Sequence, residues 1–220
     1  MTTGLRAITA EALGTALLLA IVVGSGIMGE RLAVGNAAIA LLANSLATGF
    51  GLTALILVFA PISGAHFNPL VTLLAAGGKE LTWRVVPGYL VAQFTGALLG
   101  VVAAHAMFAA PLFELSSKVR TGPAQWWSEV VATSGLMLVI VGCARHGVKT
   151  VAAAVGAYIA AAYWFTASTA FANPAVTVAR ALTDTFAGIR PQDVPGFIGA
   201  QFLGAVSAAA LARWLARAGA

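Results

Sequence analysis

Asn68 and Asn173 each stand directly before a proline, in FNPLVT and ANPAVT, and each opens a short apolar run. An asparagine amide offers two N–H donors and one carbonyl acceptor, so it can exchange hydrogen bonds with a neutral, hydroxylated molecule. Two carboxylates, Glu11 and Glu129, sit inside apolar stretches, and His66 lies two residues before Asn68. Polar groups in such surroundings are expensive and purposeful. Together they can recognise and position a solute. They cannot transform one: the chain has no nucleophile–base pair, metal-ligand cluster or phosphate loop, so an enzyme is excluded and no cofactor is implied.

The elements around these residues follow from composition. Of 220 residues 60% are hydrophobic and 9% charged, and mean hydropathy is +0.93. Soluble domains carry about 25% charged residues. The net charge of +5 comes from bases scattered at the borders of apolar runs, which indicates a membrane protein and no nucleic-acid partner. Cys143 is the single cysteine, so no internal disulfide forms. Six stretches suit bilayer crossing, at about 6–28, 36–60, 86–108, 125–143, 149–167 and 194–215. Each must be helical, because an isolated strand leaves backbone groups unpaired in lipid. The fold class is an all-α membrane bundle. The longest polar connection, Ala110 to Pro123, joins spans three and four.

Two apolar segments remain, Asn68–Ala76 and Asn173–Leu182. A ten-residue helix is about 15 Å long, half of a hydrocarbon core. These are expected as half-helices that enter and stop. Three marks recur in order: Glu11-x3-Thr15 and Glu129-x3-Thr133, the two Asn-Pro pairs, then Ala92-Gln93-x2-Gly96-Ala97 and Ala200-Gln201-x2-Gly204-Ala205. The chain is therefore a single unit, 1–220, of two repeats, about 6–108 and 125–217. Three spans per repeat turn the second one upside down.

Inversion makes the half-helices enter from opposite faces, so Asn68 and Asn173 meet near the centre. Asparagine is a good N-cap and proline a good first helical residue. The expected pore centre is Asn68, Pro69, Leu70, Asn173, Pro174 and Ala175. The approaches Pro61–Phe67 and Thr166–Ala172 are expected to be extended and to offer carbonyl acceptors along a wall. Two helix N-termini supply a positive potential that repels cations. Glu11 and Glu129, matched in both repeats and without a basic neighbour, are expected to hold the backbone before each half-helix. Gln93 and Gln201 can tie helices together, and Gly96, Gly100 and Gly204 can let them approach closely. His105 and His146 are expected at the membrane interface, with Trp83, Trp126, Trp127 and Trp214 at span ends.

SGAHFNPLVT, ANPAVT, the paired Glu-x3-Thr and the paired Ala-Gln-x2-Gly-Ala resemble the aquaporin, or major intrinsic protein, family from about Glu11 to span six. The resemblance implies six spans plus two half-helices, a pore in each protomer, a homotetramer, and a loop-holding role for His66. It also implies a passive channel. Leu70 replaces the family's alanine in the first box, and Val176 replaces the arginine that follows the second. Carried over by position, the constriction comprises Thr48, Ala161, Ala170 and Val176, with Tyr163 as the alternative to Ala161 if Gly156 sets the register of span five. Such a ring is small and uncharged, lacking the aromatic ring, histidine and arginine of the family's water channels. It implies passage of glycerol-like polyols, metalloid hydroxides such as arsenite or antimonite, and water. Arg180, four residues beyond Val176, can restore a positive charge at the mouth or meet Asp184. The alternatives are a secondary transporter with inverted repeats, a water-selective channel, and a closed-pore adhesion protein. With the N-terminus inside, seven bases fall on inner segments (Arg6, Lys79, Arg84, Arg145, Lys149, Arg213, Arg217) and five on outer ones. This agrees with a multi-pass protein of a bacterial inner membrane whose termini are cytoplasmic.

Overall fold

Asn36, Asn68 and Asn173 each cap a helix with the side-chain oxygen, and they divide the chain at the points where backbone N–H groups would otherwise go unsatisfied. The structure, a computed structural model, describes residues 2–217. Among them the helices run α1 Thr2–Ala33, α2 Ala37–Ser63, α3 Pro69–Gly77, α4 Val86–Met107, α5 Pro123–Ala144, α6 Val148–Phe165, α7 Pro174–Ala179 and α8 Val194–Arg217. Short 3-10 turns at Trp83–Val85, Arg180–Leu182 and Pro191–Asp193 join them. Six of the helices are long and apolar enough to cross a membrane. The side chain of Arg217, counted above among the inner bases, lies outside the described residues.

The two halves pack in the same way. α1 lies against α4 and α2, as α5 lies against α8 and α6, and α2 meets α6 across the halves. The close approaches rest on glycine. A Cβ on Gly96 would lie 2.2 Å from the Ala12 carbonyl, and one on Gly204 would lie 2.6 Å from that of Val130. No side chain fits there, so α1–α4 and α5–α8 touch backbone to backbone. The apolar residues left outside include Trp83, Trp127 and Trp214, each 60–66% exposed, as expected of an aromatic belt.

Several boundaries differ from the sequence expectation. α2 continues through Pro61 to Ser63, so the irregular approach starts only at Gly64. α7 is a six-residue helix that tightens into a 3-10 turn at Arg180. His105, in the last turn of α4, is turned into the protein: it is 1% exposed, its Nε2 lies 2.7 Å from Thr183 Oγ1 and its Nδ1 lies 3.1 Å from the Leu112 carbonyl. It ties α4 to the long connection and to the segment after α7.

Candidate functional site: the junction of two half-helices

Each boxed asparagine performs three tasks with one side chain. Asn68 Oδ1 accepts from Leu70 N at 2.9 Å, and Asn173 Oδ1 accepts from Ala175 N and Val176 N at 3.0 and 3.3 Å. Asn68 Nδ2 donates to the Ala172 carbonyl at 2.8 Å, while Asn173 Nδ2 donates to the Phe67 carbonyl at 2.7 Å. Each amide thus reaches the residue preceding the other asparagine. One N–H of each NH2 is used in this exchange, and the second is left for the cavity that both asparagines line. Half of the amides' donor capacity thus locks the half-helices tip to tip.

The segments leading into the tips are bent in the same pattern. Ala65 and Phe67 adopt φ of 51° and 49°, and Ala170 and Ala172 adopt 47° and 48°. Left-handed backbone at a non-glycine residue costs about 1–2 kcal/mol. Buried carboxylates offset that cost. Glu11, fully buried, accepts from Ser63 Oγ (2.6 Å), His66 N (2.9 Å), Phe67 N (2.7 Å) and Gln93 Nε2 (2.8 Å). Glu129 accepts from Phe171 N and Ala172 N, both at 2.9 Å, and from Gln201 Nε2 at 2.6 Å. Both glutamines also donate, at 2.8 Å, to a threonine, Gln93 to Thr72 and Gln201 to Thr177. Those hydroxyls in turn donate to the carbonyls of Asn68 and Asn173. The threonines close the first turn of each half-helix, and the sequence reading had not singled them out. Their signal was present: both occupy the fifth position of the repeated Asn-Pro-x-Val-Thr.

His66 departs from this symmetry. Its Nδ1 lies 3.1 Å from Thr72 Oγ1 and its ring is 5.5 Å from that of Tyr89. Its counterpart in the second half is Phe171, which is buried with the guanidinium carbons of Arg180 and Arg120 at 3.4 and 5.0 Å from its ring centroid.

A cavity of about 890 Å³ runs past both asparagines. Leu70, Thr48, Ala170 and Val176 lie on its wall, together with Tyr163 and Arg180. Ala161 does not. It is exposed on the outer face of α6, and this corrects its assignment to the constriction. The reason is the register of α6. A Cβ on Gly156 would lie 2.0 Å from Thr53 Oγ1 and 2.5 Å from the Gly49 carbonyl, so Gly156 must face α2. That rotation puts Val155, Ile159 and Tyr163, spaced one turn apart, on the cavity. The Tyr163 hydroxyl lies 3.3 Å from Thr48 Oγ1.

Arg180 is 1% exposed, and its Nε donates to the Ala187 carbonyl. Asp184 does not meet it; that carboxylate accepts from Ser117 N and Oγ. Beside the small residues Thr48, Ala170 and Val176 the wall thus carries the aromatic ring of Tyr163 and the charge of Arg180, the two alternatives the sequence had left open. The connection 108–122 lies against the segment that follows α7, with Glu114 N and Ser116 N donating to the Leu182 and Ala181 carbonyls. Arg120, at its end, donates to the carbonyls of Gly188 (2.8 Å) and Ser168 (3.0 Å). Lys118 Nζ donates to the Phe186 carbonyl at 2.6 Å. Burial, and then the charges of Arg120 and Arg180, lower the Lys118 pKa to about 8.

Comparison with known proteins agrees with this architecture. The aquaglyceroporin AqpS of Rhizobium meliloti is 55% identical over 210 residues, covering 96% of this chain and 90% of its own. Aquaporin NIP2-3 of Zea mays is 32% identical over 195 residues, and the match spans 84% of this chain and 62% of the maize protein. The solved aquaglyceroporin from Plasmodium falciparum superposes with a TM-score of 0.73 over 94% of both chains at 22% identity, which speaks for the fold. The family model for the major intrinsic proteins matches residues 1–147. With two capped half-helices meeting inside six apolar spans, the chain belongs to the major intrinsic protein family.

Proposed function

We propose that the chain is a passive transmembrane channel for small neutral solutes: glycerol-like polyols, metalloid hydroxides such as arsenite and antimonite, and water. The observation that carries this reading is the cavity past Asn68 and Asn173, whose lining is mostly apolar with a few convergent donors and acceptors. An apolar wall repels bulk water and ions, while the second N–H of each asparagine and the Thr48–Tyr163 hydroxyl pair replace a solute's lost hydration. The name aquaglyceroporin borne by the Rhizobium meliloti relative supports the polyol assignment. Absence of arginine at position 176 supports the larger solutes, because a valine neither narrows the opening nor demands hydrogen bonds.

In this reading the pore centre is Asn68, Pro69, Leu70, Asn173, Pro174 and Ala175. The constriction is Thr48, Tyr163, Ala170 and Val176, and Glu11, Glu129 and His66 hold the loops. The repeats, about 6–108 and 125–217, make one channel unit. Four copies assemble as a homotetramer in a bacterial inner membrane, with both termini cytoplasmic, so that the connection 108–122 is extracellular.

Swelling of proteoliposomes in glycerol, arsenite and water gradients tests the function. A channel gives uptake proportional to the gradient and indifferent to sodium or proton gradients. Saturable, ion-coupled uptake would instead establish a secondary transporter, and water flux without glycerol flux a water-selective pore.

A further inference from the structure

Among the described residues Arg180 is the bulkiest fully buried side chain, and it has no carboxylate partner. The single ion pair among the described residues is Arg190–Asp193. Asp184, the candidate partner one turn away, is bound to Ser117. The Arg180 guanidinium lies 3.4 Å from the Phe171 ring centroid, and Nε is engaged by the Ala187 carbonyl. Its two terminal nitrogens carry four N–H groups that find no acceptor among the described residues. They are not sealed in the packing either: Arg180 forms part of the cavity wall, and neither nitrogen is among the enclosed, unpartnered atoms.

An unpaired buried charge is strongly unfavourable unless water or a ligand reaches it. Arg120 shows the contrasting arrangement. Its guanidinium too stands against Phe171 with no carboxylate among the described residues, but Nε donates to Gly188 and Nη1 to Ser168 and Thr169, and it does not line the cavity. Arg120 is a strap, whereas Arg180 keeps its fork free. Arg180 N donates to the Val176 carbonyl, so the charge is fixed one helical turn from the valine.

The geometry points to Arg180 as the residue that sets charge selectivity in this pore: from one turn beyond Val176 it places a fixed positive charge and free N–H donors on the cavity wall, admitting neutral hydroxylated solutes and turning cations away. This rests on the channel reading above. It separates two properties that one side chain beside the box would combine. Val176 leaves the opening wide, and Arg180 supplies the charge from the side.

The test uses the full chain in proteoliposomes, with glycerol swelling and sodium and proton leak read on the same preparations. Wild type is expected to pass glycerol and stay tight to both cations. In Arg180→Met the ratio of cation leak to glycerol flux rises at least about tenfold. Arg180→Lys keeps the wild-type ratio, and Arg180→Gln follows Arg180→Met. Adding Val176→Arg to Arg180→Met brings the ratio back, which no repair of packing at position 180 would do. The proposal is overturned if Arg180→Met and Arg180→Gln pass glycerol with the wild-type ratio, or if Lys and Gln leak equally. It is equally overturned if the second arginine rescues nothing. A wild-type protein that passes no solute would instead refute the channel reading itself.

Discussion

The hydroxyls of Thr48 on α2 and Tyr163 on α6 lie 3.3 Å apart, joining the two repeats across the cavity wall. In the proposed channel Tyr163 belongs to the constriction, whereas Ala161, exposed on the outer face of α6, does not line the cavity. Tyr163→Ala is expected to raise uptake of a five- or six-carbon polyol relative to glycerol at least about threefold, since removal of an aromatic ring opens space the size of several methylene groups. Ala161→Phe should leave the ratio of the two uptakes unaltered. Stopped-flow swelling with both polyols measures each, and the opposite pattern would return Ala161 to the wall.

Val176 is 5% exposed and lies on the same wall. In the wild-type background, Val176→Arg adds a second guanidinium near that of Arg180 and narrows the passage. Glycerol and arsenite uptake are expected to fall about tenfold or more, with water flux less affected. Unchanged glycerol uptake would remove Val176 from the constriction.

Glu11 accepts four hydrogen bonds, Glu129 three, and among the described residues neither has a basic partner. Replacing either by glutamine turns one acceptor oxygen into a donor that faces backbone N–H groups. The cost is about 1–3 kcal/mol per lost charge-assisted bond. Both variants should melt at lower temperature in detergent, with Glu11→Gln the more affected. A fully stable variant that merely lost proton sensitivity would indicate a relay rather than a brace.

Asn68→Ala and Asn173→Ala each delete a cap and a bond across the junction. A lost cap alone costs about 1 kcal/mol. Because the exchange between Asn68 and Asn173 is reciprocal, the double variant is expected to be less destabilised than the sum of the single ones, by thermal unfolding in a double-mutant cycle. Strict additivity would mean that the two bonds act independently.

Lys118 has its pKa lowered to about 8, chiefly by burial. In the unfolded chain a lysine holds its proton up to about 10.4. Between these values the unfolded state binds more protons, so stability rises with pH across about 8 to 10. Below pH 8 the charged lysine is carried at a cost, softened by the Phe186 carbonyl and ring. Melting temperatures in detergent from pH 7.5 to 10 should climb for wild type, and less steeply for Lys118→Met. Equal slopes would assign the pH dependence to other groups.

Much of this architecture is legible in the chain before any coordinates. Hydropathy marks six spans, because a bilayer demands about twenty apolar residues in a row. The repeated Asn-Pro, too close to its neighbours for another crossing, marks half-helices. Matched Glu and Gln positions mark the brace, since a carboxylate survives in an apolar span only where donors reach it. What the chain does not encode locally is the rotation of each span. Lipid and protein interior are both apolar, so a membrane helix such as α6 carries little periodic contrast to say which face turns inward. Only packing decides it: Gly156 against Gly49 and Thr53 turns Tyr163 to the cavity and Ala161 away. The same holds for the long-range polar pairs. Asn68 finds Ala172, His105 finds Thr183, and Arg180 loses Asp184 to Ser117. These partners are set by how the two halves and the connection between them fold over one another.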